Sequence, residues 1–479
     1  MSDGIHAEET IVDDYLGDDA PLLTEDAPLL ADGETADKPS DDDLPRIGND
    51  PVPPGKASLF SSIFNLSNTI MGAGTLSIPF AISSAGLIGG IALIIFVASL
   101  SYTAFTILIK CGEATRQYSY KGIARIAFGK YFAVFAEFIL VLYTTGTLIS
   151  YPIILGDFVS DIFRAFIPEH FGIIYTVLCN PPGIIIIIST FLLLPLCALP
   201  RIDFLRFTSM IAIFNIFVTI FVVTVHLFYD IHAIGFSGIA DRGAIRLVNP
   251  SLNFFLALPL LGVSFTAHYN VFNIYAELKG RSEKKSQVVI LPSVLVCIVS
   301  YLAMGLSGYL SFRQEAQDDI LNSYSMRDLA AIVGRLAMAF TIAFSYPLVC
   351  FAWRRNICNV FLSWTKDTYL RHISVTLVAI VGSSFLAIAV NKISIVLGIS
   401  GSVAGTCVVY IFPALFYLRL RMMGIVGKKD PTWLTIIFVV ACVTLLVAGT
   451  IFGVGGFISS MRALYVYLKS MVDGFHHKH

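Results

Sequence analysis

Eleven runs of about twenty mostly apolar residues follow one another along this chain, between residues 57 and 458, a length that spans hydrocarbon as a helix. They cover 57–85, 87–110, 131–158, 183–199, 207–229, 251–276, 287–311, 328–352, 373–390, 393–418 and 432–458. Inside a bilayer only helices and closed barrels satisfy their own backbone groups, and runs this long are helical. The expectation is an all-α polytopic membrane protein with 11 transmembrane helices. The ninth run is the weakest, being short and carrying polar residues. Composition agrees: 56% of the 479 residues are hydrophobic and 14% charged, where a soluble domain holds about a quarter charged residues.

Charge divides the chain and orients it. Residues 1–50 hold sixteen Asp and Glu against two bases, and the remainder holds 17 acids and 30 bases. With the amino terminus in the cytosol, nineteen Lys and Arg fall on cytosolic loops and nine on the opposite side. This is the bias expected of positive-inside topology. Residues 459–479 then form a short lumenal or extracellular tail.

Residues 1–56 are acidic and poor in aromatics, so they are expected to be a disordered cytosolic tail. No secretory signal is present, and the first span serves as its own insertion signal. Asp18 with Leu22 and Leu23, and Glu25 with Leu29 and Leu30, repeat an acid, three residues and two leucines. The repeat resembles the acidic dileucine signal read by clathrin adaptors. It points to an endosomal, lysosomal or vacuolar membrane, with the plasma membrane left open. The eight cysteines lie mostly in spans or at their cytosolic ends, so no disulfide framework is expected.

The first span is not a simple anchor. It reads Phe64-Asn65-Leu66-Ser67-Asn68-Thr69-Ile70-Met71-Gly72-Ala73-Gly74-Thr75-Leu76-Ser77-Ile78-Pro79, with two Asn, several hydroxyls, a Gly-x-Gly and a Pro. Polar side chains and irregular backbone are tolerated at that depth where they are buried in protein or line a cavity. A helix broken over Ile70–Thr75 is expected, although a close-packing face of small residues is the alternative. The sixth span carries a second such stretch, Leu261-Gly262-Val263-Ser264-Phe265-Thr266-Ala267-His268-Tyr269-Asn270. Spans one and six hold matching places in two five-helix halves. Paired interruptions at matching positions point to a transporter binding site, where unpaired amides and carbonyls hold a carboxylate and a cation.

These two stretches, with Ile274-Tyr275-Ala276-Glu277-Leu278, Tyr143-Thr144-Thr145-Gly146, Tyr151, Gly156-Asp157, Gly334-Arg335-Leu336 and Phe344-Ser345-Tyr346-Pro347, resemble the amino acid and auxin permease family. The likeness covers about residues 57–458 and is nearest to the sodium-coupled neutral amino acid transporters and the vacuolar amino acid exporters. It implies a leucine-transporter-like fold of five plus five inverted helices with one added. It implies a substrate carboxylate at Met71, Gly72, Ala73, Gly74 and Thr75, and an ammonium at carbonyls of Ser264, Phe265 and Thr266. Tyr143, Thr147, Asn270 and Ser345 would read the variable side chain. The fold's cation site falls at Asn68, Ile70 and Ser345, with Thr341 nearby; oxygen ligands there suit Na+.

Several residues keep two readings. His268 either couples transport to H+ or is a neutral core histidine. Arg335 either pairs with an acid or snorkels to the surface. Glu137 and Asp157 are expected to be solvated, Glu277 to be a cytosolic gate or surface residue, and Ile184–Ile188 to face lipid. No intramembrane catalytic motif is present, so an enzyme is not expected. Neither an organic cofactor nor a nucleic acid partner is expected; the partners are an amino acid substrate and the bilayer. The reading is a secondary active transporter of free amino acids, neutral and polar by the resemblance, coupled to Na+ or H+. The alternative is an amino acid sensor signalling through the acidic tail.

Overall fold

The computed structural model describes residues 55–199, 205–362, 365, 368–428 and 430–476. The two dileucine patterns lie outside these residues. The described chain is helical, and its one β-type pairing is an isolated bridge between Ala57 and Leu278.

Helix α1 spans Leu59–Ile70 and starts at Ser58, whose hydroxyl accepts from the Ser61 amide at 3.1 Å. This side-chain cap satisfies one of the orphan amides of the first turn. A 3-10 turn over Ala73–Ser77 separates α1 from α2, Ile78–Ala85. Pro79 lies in the first turn of α2, where its missing N–H breaks no helical bond. Helices α3 (Leu87–Thr115), α4 (Tyr120–Phe128) and α5 (Lys130–Phe166) follow. After the short α6 (Ile173–Leu178), α7 (Pro181–Ile188) and α8 (Leu194–Ala198) form one rod through a π turn at Ser189–Leu193.

Helix α9, Leu205–Ala240, bends at Gly235, whose φ of 69° suits a residue without Cβ. Helices α10 (Phe254–Ser264) and α11 (Val271–Glu277) share one span but are separate. Then come α12 (Glu283–Phe312), α13 (Leu329–Phe361) and α14 (Tyr369–Val390). Helices α15 (Ile393–Ser400) and α16 (Phe412–Met422) are linked by π turns at Gly401–Gly405 and Cys407–Ile411. Helix α17 runs over Thr432–His476.

Ten helical stretches among the described residues are long and apolar enough to cross a membrane. The eleventh apolar run, 57–85, is missing from that set because it is divided, leaving two pieces too short to span. The weak ninth run is an unbroken helix of 22 residues. Within the expected carboxyl-terminal tail, residues 459–476 continue α17 as helix. Ile184 and Ile185 also differ from expectation. Gly156 lets α7 approach α5, and both isoleucines are buried instead of facing lipid.

The core forms where α13 packs on α5 and α9, α12 on α3 and α9, and α10 on α2 and α17. Leu76, Leu261, Phe265, Tyr301 and Tyr346 are fully enclosed there. Phe191, Phe214 and Phe221 point outward, as large apolar residues do when the surrounding solvent is hydrocarbon.

Candidate functional site

Both sequence interruptions are real turns in the backbone, and they meet. At the first, the Met71 amide donates to Ser67 O at 2.8 Å, the Gly72 amide to Ile70 O at 2.9 Å and the Thr75 amide to Gly72 O at 3.1 Å. Gly72 itself is extended, at φ −76° and ψ −151°. At the second, the Thr266 amide donates to Val263 O at 3.0 Å, and Asn270 N to Ala267 O at 3.0 Å. Ser264 Oγ joins the two, donating to Leu260 O at 2.8 Å and lying 3.1 Å from Gly74 O.

A residue that the sequence reading missed completes this junction. The hydroxyl of Tyr301, on α12, lies 2.6 Å from Ser264 O and 2.9 Å from Ile70 O. One proton is shared between the carbonyls that end the two helices. Its only signal in the sequence is a Tyr inside an otherwise apolar run.

The expected substrate residues collect around this junction. Met71, Ala73, Gly74, Thr75, Ser264, Phe265 and Thr266 are buried, and Gly72 is half-buried. A Cβ on Gly72 would have only Tyr151 Oη near it, at 3.8 Å, so this position borders open space. A Cβ on Gly74 would lie 2.6 Å from Ser264 Oγ and 3.0 Å from Ser264 Cα. Gly74 is therefore a contact between the two turns, and a larger side chain there would force them apart. Thr75 lies beside the Tyr301 hydroxyl, and Ser77 Oγ is buried without a protein partner.

Tyr143 comes from α5, with its ring 5.9 Å from that of Tyr269 in the second turn; Tyr151 stands 6.3 Å from Tyr346 of α13. Thr147 is half-buried one turn from Tyr143. Asn270 Nδ2 approaches Thr69 Oγ1 at 3.4 Å, and Asn273 Nδ2 donates to Asn270 Oδ1 at 2.9 Å. Asn270 is thus part of an amide bridge between α1 and α11.

The expected cation residues are not gathered in the same way. Asn68 and Ser345 are half-buried, on helices that pack mainly against other neighbours. The carbonyl of Ile70 has both lone pairs engaged, by the Gly72 amide and the Tyr301 hydroxyl. Thr341 turns to α9, with its Oγ1 3.0 Å from Ala337 O and 3.5 Å from Ala212 O. His268 is fully buried and stacked on Phe105 of α3, with ring centroids 3.9 Å apart and the Ser101 backbone of the same helix beside it.

Two charged residues, Glu137 and Asp157, depart from the expectation that they are solvated. Glu137 is buried and held by Lys121 at 3.1 Å and Asn359 at 3.0 Å instead of being solvated. Asp157 accepts from Asn322 at 3.3 Å. Arg335 has no exposed surface; it donates to Leu321 O and Tyr324 O at 2.9 Å and faces Asp161 at 3.8 Å. Of its two readings, pairing with an acid is the one the fold realises. Glu277 takes part through its backbone, accepting from the Ala57 amide at 2.8 Å.

A helical bundle of membrane-length rods, in which two interrupted spans join around a polar junction, is the architecture of a membrane transporter. The chain belongs to the transmembrane amino acid transporter protein family, whose model matches residues 55–459. It is an integral membrane amino acid transporter and not an enzyme. It is 29% identical over 392 residues to vacuolar amino acid transporter 5 of Schizosaccharomyces pombe, covering 80% of this chain and 89% of that one. It is 27% identical over 436 residues to sodium-coupled neutral amino acid transporter 4 of Homo sapiens, covering 77% and 79%. Its fold is similar to that of the Eremococcus coleocola manganese transporter, with a TM-score of 0.52 at 14% identity over 87% of this chain and 92% of that one. The sensor alternative gains no support from these relatives.

Proposed function

We propose that this chain is a secondary active transporter that moves free, neutral polar amino acids by alternating access, coupled to Na+ or H+. The observation that carries this reading is the junction itself. Two helices end beside each other, and one tyrosine hydroxyl serves both terminal carbonyls. The backbone there offers what a zwitterion needs, amides for a carboxylate and carbonyls for an ammonium. Gly72 to Thr75 would hold the carboxylate, and carbonyls around Ser264 to Thr266 the ammonium. Tyr143, Thr147 and Tyr151 line the side where the substrate's own side chain would lie. This arrangement reads what amino acids share and leaves the variable part to the tyrosines.

Coupling to Na+ is supported by the human relative's name, and a vacuolar membrane by the yeast relative's name. Asn68 and Ser345 remain the proposed sodium contacts, with the Ile70 carbonyl available only when Tyr301 releases it. The dileucine patterns would route the chain through clathrin adaptors to an endosomal or vacuolar membrane, with residues 1–56 in the cytosol.

Purified protein in liposomes tests the function. Labelled neutral amino acids should accumulate when a Na+ or a proton gradient is imposed and equilibrate without one. Accumulation indifferent to both gradients removes coupling, and no amino acid uptake under any gradient removes the substrate class.

A further inference from the structure

The connection between α12 and α13 sits over the junction as a plug. Its 3-10 turn, Ile320–Ser323, rests on the Ala73–Ser77 turn of the first interruption. Ile320 and Leu321 are fully buried, the former beside Gly308 and the latter beside Gly334. Three elements staple the plug down. Arg335 of α13 donates to Leu321 O, Tyr324 O and Ser325 O. Asp157 of α5 accepts from Asn322. The backbone amide and hydroxyl of Ser394 at the start of α15 donate to Asp318, at 3.1 and 2.9 Å.

At the head of this turn is a carboxyl group that hydrogen bonding only half satisfies. Asp319 is 2% exposed; its Oδ1 accepts from the Leu321 amide at 3.0 Å, and its Oδ2 has no partner. The groups facing it are the carboxylates of Asp157 on α5 and Asp318 on the same connection, and the Arg335 guanidinium on α13. Asp157 is faced in turn by Asp161, Asp318 and Lys392. Arg335 is shared with Asp161 and Asp328, and Asp161 also has Arg164. The Ala73–Ser77 turn beneath brings no titratable side chain.

A buried carboxylate beside two like charges, with one oxygen unserved, is costly, and a proton removes the charge and turns the orphan oxygen into a donor. Asn322 Oδ1, in the same turn, is a buried acceptor without a protein partner. We propose that Asp319 is a proton-binding site whose protonated form holds the 316–325 plug over the mouth of the transporter. Burial pushes its carboxyl well above the usual carboxylate range. In an open state water reaches the group and restores the ordinary value, so closing takes up a proton. Closure is then favoured at low pH and weakens by about tenfold per pH unit as pH rises from the ordinary carboxylate value toward the closed-state value, above which it no longer changes. The charge bias places this mouth on the non-cytosolic side, so an acidic compartment would keep it shut.

The purpose of the closure rests on the transport reading, but the closure itself is measurable without transport. Hydrogen exchange of residues 316–326 in the full chain in lipid nanodiscs, corrected for intrinsic rates, reads it at pH 5 to 8. Protection should fall at least about tenfold from pH 5 to 8, and Asp319→Asn should keep the pH 5 protection throughout. A flat wild-type profile, or a slope that survives in Asp319→Asn, overturns the proposal. Should that variant not fold, Asp157→Asn gives the answer, because removing a facing charge must move the midpoint to lower pH. An unmoved midpoint counts against the site. Absent uptake with the protection profile intact would remove the transport reading and leave the proton site standing.

Discussion

Gly72 and Gly74 sit two residues apart in one turn, yet they answer to different neighbours. A Cβ at Gly74 runs into Ser264, so Gly74→Ala should destabilise the fold by about 1–3 kcal/mol through overpacking. A lowered midpoint of thermal unfolding in detergent checks this. A Cβ at Gly72 meets only the Tyr151 hydroxyl, so Gly72→Val should keep the wild-type midpoint while reducing uptake more than about tenfold, by filling the substrate space. Unchanged uptake in that variant would move the substrate elsewhere. Tyr301→Phe leaves two buried carbonyls short of a donor and should cost about 1–3 kcal/mol. Its uptake should fall with it, whereas a peripheral tyrosine would lose neither. The family resemblance marked both glycines alike as backbone ligands; which of them faces space depends on where Ser264 arrives, 190 residues later.

Elements divide into those that the sequence reports directly and those that it reports by their failure. The run 373–390 looks weak because Ser383 and Ser384 interrupt it, but these hydroxyls face Tyr346 and Ser189 inside the bundle, and α14 is whole. Helix α13 shows how a charge survives in such a setting. Arg335 is tolerated because three carbonyls of the plug and Asp161 receive its guanidinium. Breaking that set leaves three buried carbonyls without this donor and Asp161 with Arg164 alone. Arg335→Met should therefore cost about 3–5 kcal/mol, and Arg335→Lys should not restore it, because an ammonium cannot span the same fork of acceptors. The fraction of protein surviving heating, measured by size-exclusion chromatography, separates this from a surface arginine, whose loss would leave it unchanged.

For the whole molecule, the family match begins at residue 55, where the described bundle also begins. Removing residues 1–54 should leave uptake in liposomes within about twofold, because the family match and both interrupted spans lie within residues 55–459; a larger loss of uptake would make the tail part of the transport machinery. The sequence by itself determined the membrane as solvent, the number and order of the apolar runs, and the two places where those runs fail. Each of these is local: hydrophobicity over about 20 residues sets what can span, and a cluster of Gly, Asn and hydroxyls shows where a span breaks. The tertiary structure decided the rest. It placed Ser264 against Gly74, brought Tyr301 to both helix ends, stacked His268 on Phe105, and enclosed Asp319 of the plug with an oxygen unserved. These contacts join residues far apart in the chain, and their geometry follows from how helices pack, a property that no single run of sequence carries.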